Sequence, residues 1–317
     1  MRNLNGIAII LSAVLLLVSL GAAGALADEN RLSIVTTIFP IYDWVREIAG
    51  EDGNADVTLL LDSGVDLHSY QPTAADIMRI ATCDAFIYVG GESDEWVEDA
   101  LKEAVNPDMV VVNLLDCLGD DVKMEEIVEG MEHEHEHDHD EEEEEHHEDE
   151  EDHEEEHEHE HEHEEEPDEH VWLSLRNAQK LVSAIAEKLA EADPAHAEGY
   201  RANAAAYCEA LSALDAKYAE AAEQAVYKTV LFGDRFPFRY LTDDYGLAYY
   251  AAFSGCSAET EASFQTIVFL AQKVDELGLP AVLTIEHPKT RIADTIVARS
   301  EERRVGKECR SRWSPYH

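Results

Sequence analysis

The chain has 317 residues and carries 70 Asp and Glu against 23 Lys and Arg, for a formal net charge of −47 at pH 7. That balance excludes nucleic acid and anionic membrane surfaces as partners and suits a protein that attracts cations. The five cysteines (Cys83, Cys117, Cys208, Cys256 and Cys309) show no CxxC or zinc-finger spacing, which argues against a cysteine metal site and leaves their pairing open.

In chain order, residues 1–27 read as a secretory signal. Arg2 supplies the positive end, 7–20 the apolar stretch, and Ala25-Leu26-Ala27 a small-residue cleavage site before Asp28. The apolar stretch is shorter than the roughly 20 residues a membrane span needs, with an uncleaved anchor as the alternative. No cysteine adjoins the cleavage site, so a lipid anchor there is not expected. The protein is therefore expected in the periplasm or on the outer face of the cytoplasmic membrane. Residues 32–37, 57–61, 85–89 and 109–113 are rich in Val, Ile and Leu with little alternation, as in strands buried on both faces of a parallel sheet. Between them, 40–49, 73–81 and 95–105 have helical spacing of apolar residues. Such alternation predicts an α/β lobe built of βαβ units.

Residues 132–166 contain only His, Asp and Glu. Eleven of the 35 are histidine: His133, His135, His137, His139, His146, His147, His153, His157, His159, His161 and His163. With no apolar side chain to bury, the run cannot offset the entropy of ordering itself. It concentrates imidazole nitrogen and carboxylate oxygen, which are ligands for borderline divalent metals. A plain acidic linker would not need the histidines, so auxiliary metal capture is the preferred reading.

Further on, 174–192 predicts a helix ended at Asp193-Pro194. Residues 195–222 then predict a long one, roughly 40 Å at the α-helical rise, with Tyr200, Tyr207, Leu211, Leu214 and Tyr218 on one stripe. Strands are expected at 229–232, 247–253 and 281–285, and a helix at 263–277. This divides the chain into an N-terminal lobe over 28–193, a joining helix over 194–224 and a C-terminal lobe over 225–298. From 299 to 317 the sequence turns basic and loses periodicity, with five bases against three acids from Glu301 onward. It reads as a non-native tail following a truncated lobe.

Outside the run and the tail there are four histidines: His68, His170, His196 and His287. Open α/β sheets bind ligands at the carboxyl ends of their strands. His68 follows the strand at 57–61, and His170 ends the long connection leaving 109–113. Asp234 follows 229–232, and Glu286 follows 281–285. His68, His170, Asp234 and Glu286 are thus the candidate ligands of a Zn²⁺ or Mn²⁺ site, with His287 as a substitute beside Glu286. His196 is expected to be exposed on the long helix.

Several stretches occur together in order: the signal, GVDLHSYQPTAADI (64–77), the His-rich acidic insertion and DEHVWLSLRNA (168–178). This combination resembles the zinc/manganese solute-binding proteins of ABC importers, the ZnuA-type family, over about residues 32–298. Asp66, His68, Tyr70, Pro72, Thr73 and Asp76 match the pattern around the family's first ligand, with Leu67 in place of Pro. Asp168, His170, Trp172 and Leu173 match the second. The resemblance implies two α/β lobes with parallel sheets, one long rigid helix joining them, and a metal site in the cleft between them. It departs at GDRFPFRYLTDDYGL, where Arg235 occupies the third ligand's position. A cation cannot bind a cation, and Asp234 is the nearest replacement. The fourth ligand would lie in the tail region, and Glu286 matches a recurrent family Glu.

The expected function is a monomeric binding protein, not an enzyme. It would capture Zn²⁺, or alternatively Mn²⁺, and deliver it to an ABC transporter permease in the membrane, with the His-rich run collecting or buffering metal. The alternatives are a surface adhesin or extracellular buffer without transport, and a zinc hydrolase. No HExxH motif or nucleophile elbow supports the last.

Overall fold

The computed structural model describes residues 31–50, 55–62, 64–131, 166–257, 261–285 and 291–300. The chain divides into two compact units. The first comprises 1–118 with 179–212, and the second 119–178 with 213–317.

The first unit is built on a four-stranded parallel sheet of β1 (Leu32–Thr36), β2 (Ala55–Leu59), β3 (Ala85–Tyr88) and β4 (Val110–Asn113), in the order β2-β1-β3-β4. Ile34 faces Val57 on one side and Ala85 on the other, and Phe86 faces Val111. Ile34, Phe86 and Ile87 are fully buried, which is why these strands read as unbroken apolar runs rather than alternating ones. Helix α1 (Phe39–Ala49) starts with Pro in its first turn and buries Ile41, Trp44, Val45 and Ile48. Each such side chain contributes about 1.5–3 kcal/mol by leaving water. Helices α2 (Ala74–Thr82), α3 (Trp96–Lys102) and the short α4 (Leu114–Leu118) complete the βα alternation. Thr73 and Asp76 form a reciprocal capping box at the start of α2.

Helix α5 (Leu175–Ala192) buries Leu181, Val182, Ile185, Ala186 and Leu189 along one stripe. The boundaries between the units fall within α5 and again within α6 (Ala197–Gln224), the long helix. Of the stripe expected on α6, Tyr200 and Leu211 are buried, whereas Leu214 is exposed. His196 precedes α6, is partly exposed, and pairs through Nδ1 with Asp193, which also accepts the Tyr200 hydroxyl.

The second unit carries a parallel pair, β5 (Thr229–Arg235) and β6 (Ala248–Phe253), joined through α7 (Arg239–Tyr245). The strand expected at 281–285 is reduced to a single parallel bridge, Leu283 to Phe232. The Leu283 N–H donates to the Leu231 carbonyl, and its own carbonyl accepts from Gly233 N–H. Pro280, with no N–H to donate, stands just before this segment. Helices α8 (Phe264–Leu277) and α9 (Arg291–Arg299) pack Leu270, Val274 and Ile296 against Leu231 and Phe253. Helices α4, α7 and α9 are not among the elements expected from the sequence.

The assignment of 119–178 differs from the lobe boundary expected at 193. Residues 123–125 and 166–168 pair antiparallel across the base of the His-rich run. A bridge joins Met124 to Pro167, Glu125 N–H donates to Glu166 at 2.7 Å, and Asp168 N–H donates to Lys123 at 2.8 Å. The Tyr240 hydroxyl accepts from Lys123 N–H and donates to the Asp168 carbonyl, each at 2.9 Å. These bonds tie His170 to the lobe of β5 and β6. Gly130, at φ +89°, lies so close to Phe269 that a Cβ would fall 2.0 Å from the ring, so the chain passes there only without a side chain. All eleven histidines of the run lie outside the described residues, as do the signal segment and the tail from Glu301.

Candidate metal centre

In the first unit, Asp66 opens a 3₁₀ turn over Leu67–Ser69 and accepts the His68 N–H at 3.1 Å. This short-range bond is what Asp at such a position supplies. Leu67 is buried beneath the turn while His68 stays half-buried. His68 Nδ1 meets Ser93 Oγ at 2.8 Å. This contact holds the orientation of the ring. Tyr70 closes the turn with its ring edge-on to Trp96 at 5.6 Å. Burial first, then the Asp76 carboxylate, pushes its hydroxyl well above the usual tyrosine range. The Asp94 carboxylate, next to Ser93, accepts N–H bonds from Val89 and Gly90 at 2.9 and 3.0 Å. Burial outweighs these bonds and raises it to about 6.

In the second unit, His170 stands at the head of a 3₁₀ turn over Val171–Leu173. Asp168 Oδ1 accepts both the backbone N–H and ring Nδ1 of His170 at 2.9 Å. An ionised carboxylate can only accept, so the proton sits on Nδ1 and Nε2 is left as a metal ligand. Asp168, Glu169 and His170 are consecutive and all buried, at 3, 2 and 6% exposure. Burying two acids beside an imidazole is costly without compensation, and a dication would provide it.

Opposite His170 lies the turn that follows β6. The Cys256 N–H donates to Glu125 Oε1 at 2.8 Å. The ligating atoms of His170 and Cys256 come within 4.8 Å of each other. Gly255 permits the approach, because a Cβ there would sit 3.1 Å from the Phe236 carbonyl and 3.2 Å from His170 Nδ1. Burial first, then the Glu125 and Glu169 carboxylates, pushes the Cys256 thiol far above its ordinary value.

Asp234 has a different neighbourhood. Its Oδ1 accepts the Arg235 N–H at 2.9 Å and its Oδ2 the Ile285 N–H at 3.1 Å, so the carboxylate fastens the end of β5 to the Leu283 segment. Among the described residues, no group of three or more close ligating side chains includes Asp234. Glu286 and His287 lie outside the described residues. Cys256, which joins the group of close ligating side chains, is not among the residues the sequence points to, because the cysteines show no short metal-binding spacing. The signal was available all the same, since Cys256 follows the carboxyl end of a parallel strand, the rule that selected the other candidates.

Comparison with known proteins accords with this geometry. A family model described as zinc-uptake complex component A, periplasmic (ZnuA), matches residues 34–309. The zinc-binding protein AdcA of Streptococcus pyogenes is 31% identical over 274 residues, covering 84% of this chain and 48% of that protein. The chain thus spans about half the length of this curated relative. The high-affinity zinc uptake system protein ZnuA of Bacillus subtilis is 30% identical over 301 residues, covering 94% of this chain and 85% of that protein. Among solved structures, the Zn(II)-bound ZnuA-like domain of Streptococcus pneumoniae AdcA aligns with a TM-score of 0.60 at 28% identity, covering 85% of this chain and 84% of that one. The α/β fold with parallel sheets, the His68 and His170 motifs and a family match over most of the length agree, and the chain belongs to the ZnuA family of zinc-uptake components.

Proposed function

We propose that this protein captures Zn²⁺ outside the cytoplasm, as a monomer, and hands it to the permease of an ABC importer. The metal is cargo, and no catalytic step is involved. The observation that carries the reading is the buried Asp168–His170 pair, a carboxylate 2.9 Å from ring Nδ1, the arrangement that orients an imidazole for a metal. His68, braced by Ser93, is the second imidazole ligand. Asp234 and Glu286 remain carboxylate candidates, although the Asp234 carboxylate is already engaged by the Arg235 and Ile285 N–H groups. Imidazole ligands favour zinc over manganese, as does the Irving–Williams order. The names of the streptococcal and Bacillus relatives support the same metal. Among the described residues no helix is long and apolar enough to cross a membrane.

The His-rich run is assigned the collection of metal. Fully extended, its residues reach on the order of 100 Å. Tethering weak sites beside a strong one raises the local concentration of ion. The test is zinc binding by competition with a chelator of known affinity. The full chain should hold one tight Zn²⁺ that neither His68→Ala nor His170→Ala retains, together with weaker ions that both variants keep. Unchanged tight binding in either variant would remove that histidine from the ligand set.

A further inference from the structure

Arg235 stands where the family pattern places a third ligand, which leaves a donor to be found. We propose that Cys256 supplies it, binding the same ion as His170 through its thiolate; the inference rests on the zinc-binding reading above. Three observations carry it. The sulfur and the ligating nitrogen of His170 lie within 4.8 Å. Bond lengths of about 2.0 Å to nitrogen and 2.3 Å to sulfur put the two roughly 3.6 Å apart in a tetrahedral zinc site. Any difference is at most about an ångström, within the swing of a cysteine side chain between rotamers. Next, the turn is fixed from both sides, with Cys256 N–H held by Glu125 and Gly255 giving the His170 ring its room. Finally, the Glu125 carboxylate that holds the Cys256 N–H stands beside the turn, where an acidic side chain suits an incoming cation.

The other described cysteines have different settings. Cys83 is buried against Met109 and the Ile80 carbonyl, and Cys208 faces Ser183 and Gln179. Neither they nor Cys117 joins a group of three or more ligating side chains. On binding, Zn²⁺ replaces the thiol proton: the S–H bond breaks, the S–Zn bond forms, and the proton passes to the buffer. The site becomes softer than one of imidazole and carboxylate alone, and so discriminates further against Mn²⁺.

X-ray absorption at the zinc edge tests this on the full chain loaded with one equivalent of Zn²⁺. The histidine run can add nitrogen and oxygen scatterers but no sulfur. The expected result is one sulfur at about 2.3 Å in the parent, absent in Cys256→Ser. Zinc affinity in that variant should fall at least tenfold, with a larger fall for Cd²⁺ than for Zn²⁺. A nitrogen-and-oxygen-only shell around tightly held zinc would overturn the thiolate while leaving the importer reading intact. So would a sulfur that persists in Cys256→Ser. Absence of any tight site in the parent would overturn both.

Discussion

At the scale of single residues, two carboxylates do opposite things. Asp168 is placed to hold the His170 ring in one tautomer, and Asp168→Asn keeps the shape while removing the charge. Zinc affinity should then fall about 10–100-fold, the usual cost of losing a carboxylate behind a metal-binding histidine, with little change in thermal midpoint. A competition titration beside a melting curve separates these two readouts, and unaltered affinity would make Asp168 a purely structural residue. Gly255→Ala places a methyl 3.2 Å from the same ring. Crowding of this kind costs about 1–3 kcal/mol in a packed interior, so both stability and zinc affinity should drop. Asp94 behaves otherwise. Its folded value, raised by burial to about 6, lies above the ordinary 3.8. The protonated form is therefore the one the fold favours. Its contribution is fully present below pH 4 and is lost as pH rises through 6. A shift of about two units corresponds to about 3 kcal/mol. Asp94→Asn can still accept from Val89 and Gly90. It should match the parent in urea at pH 3.5 and exceed it at pH 8. Parallel curves across that range would contradict the assignment.

At the scale of elements, the βα alternation of the first unit is legible because its central strands are largely buried. Stretches such as 34–36 and 85–87 have no solvent side to write an alternating pattern. His68 and His170 are singled out in the sequence by their place after strands and by their motifs, and in each case an Asp two residues earlier accepts the histidine N–H. Cys256 was not legible, because its partner His170 is brought near by the Lys123–Tyr240 and Glu125–Cys256 bonds, which no local spacing encodes. Nor was the reduction of 281–285 to one bridge, where Asp234 holds Ile285 in place of a ladder. The base of the His-rich run is closed by the pairing of 123–125 with 166–168. Replacing 132–165 with a short Gly-Ser linker should therefore leave the fold intact, because closure entropy changes by only about 0.6 kcal/mol per doubling of loop length. Calorimetric melting should show a midpoint within a few degrees of the parent, and zinc stoichiometry should fall to one. Collapse of the melting transition would show that the run helps hold the second unit together.

At the scale of the whole molecule, the charge of −47 and the family match concern the same property, attraction and retention of a cation. The lobe boundary was the least legible feature. Residues 119–131 and 166–178 follow the first sheet in sequence but belong with β5 and β6, so His68 and His170 fall in different units. The measurement that tests the central claim most directly is zinc titration by calorimetry of the full chain, the linker variant and His68→Ala in the linker background. The account predicts one tight Zn²⁺ in the linker variant, abolished by His68→Ala, with additional weak ions only in the full chain. If binding were weak and multiple in the full chain and vanished with the run, the motif histidines would hold no metal. The protein would then be an extracellular buffer rather than the binding component of an importer.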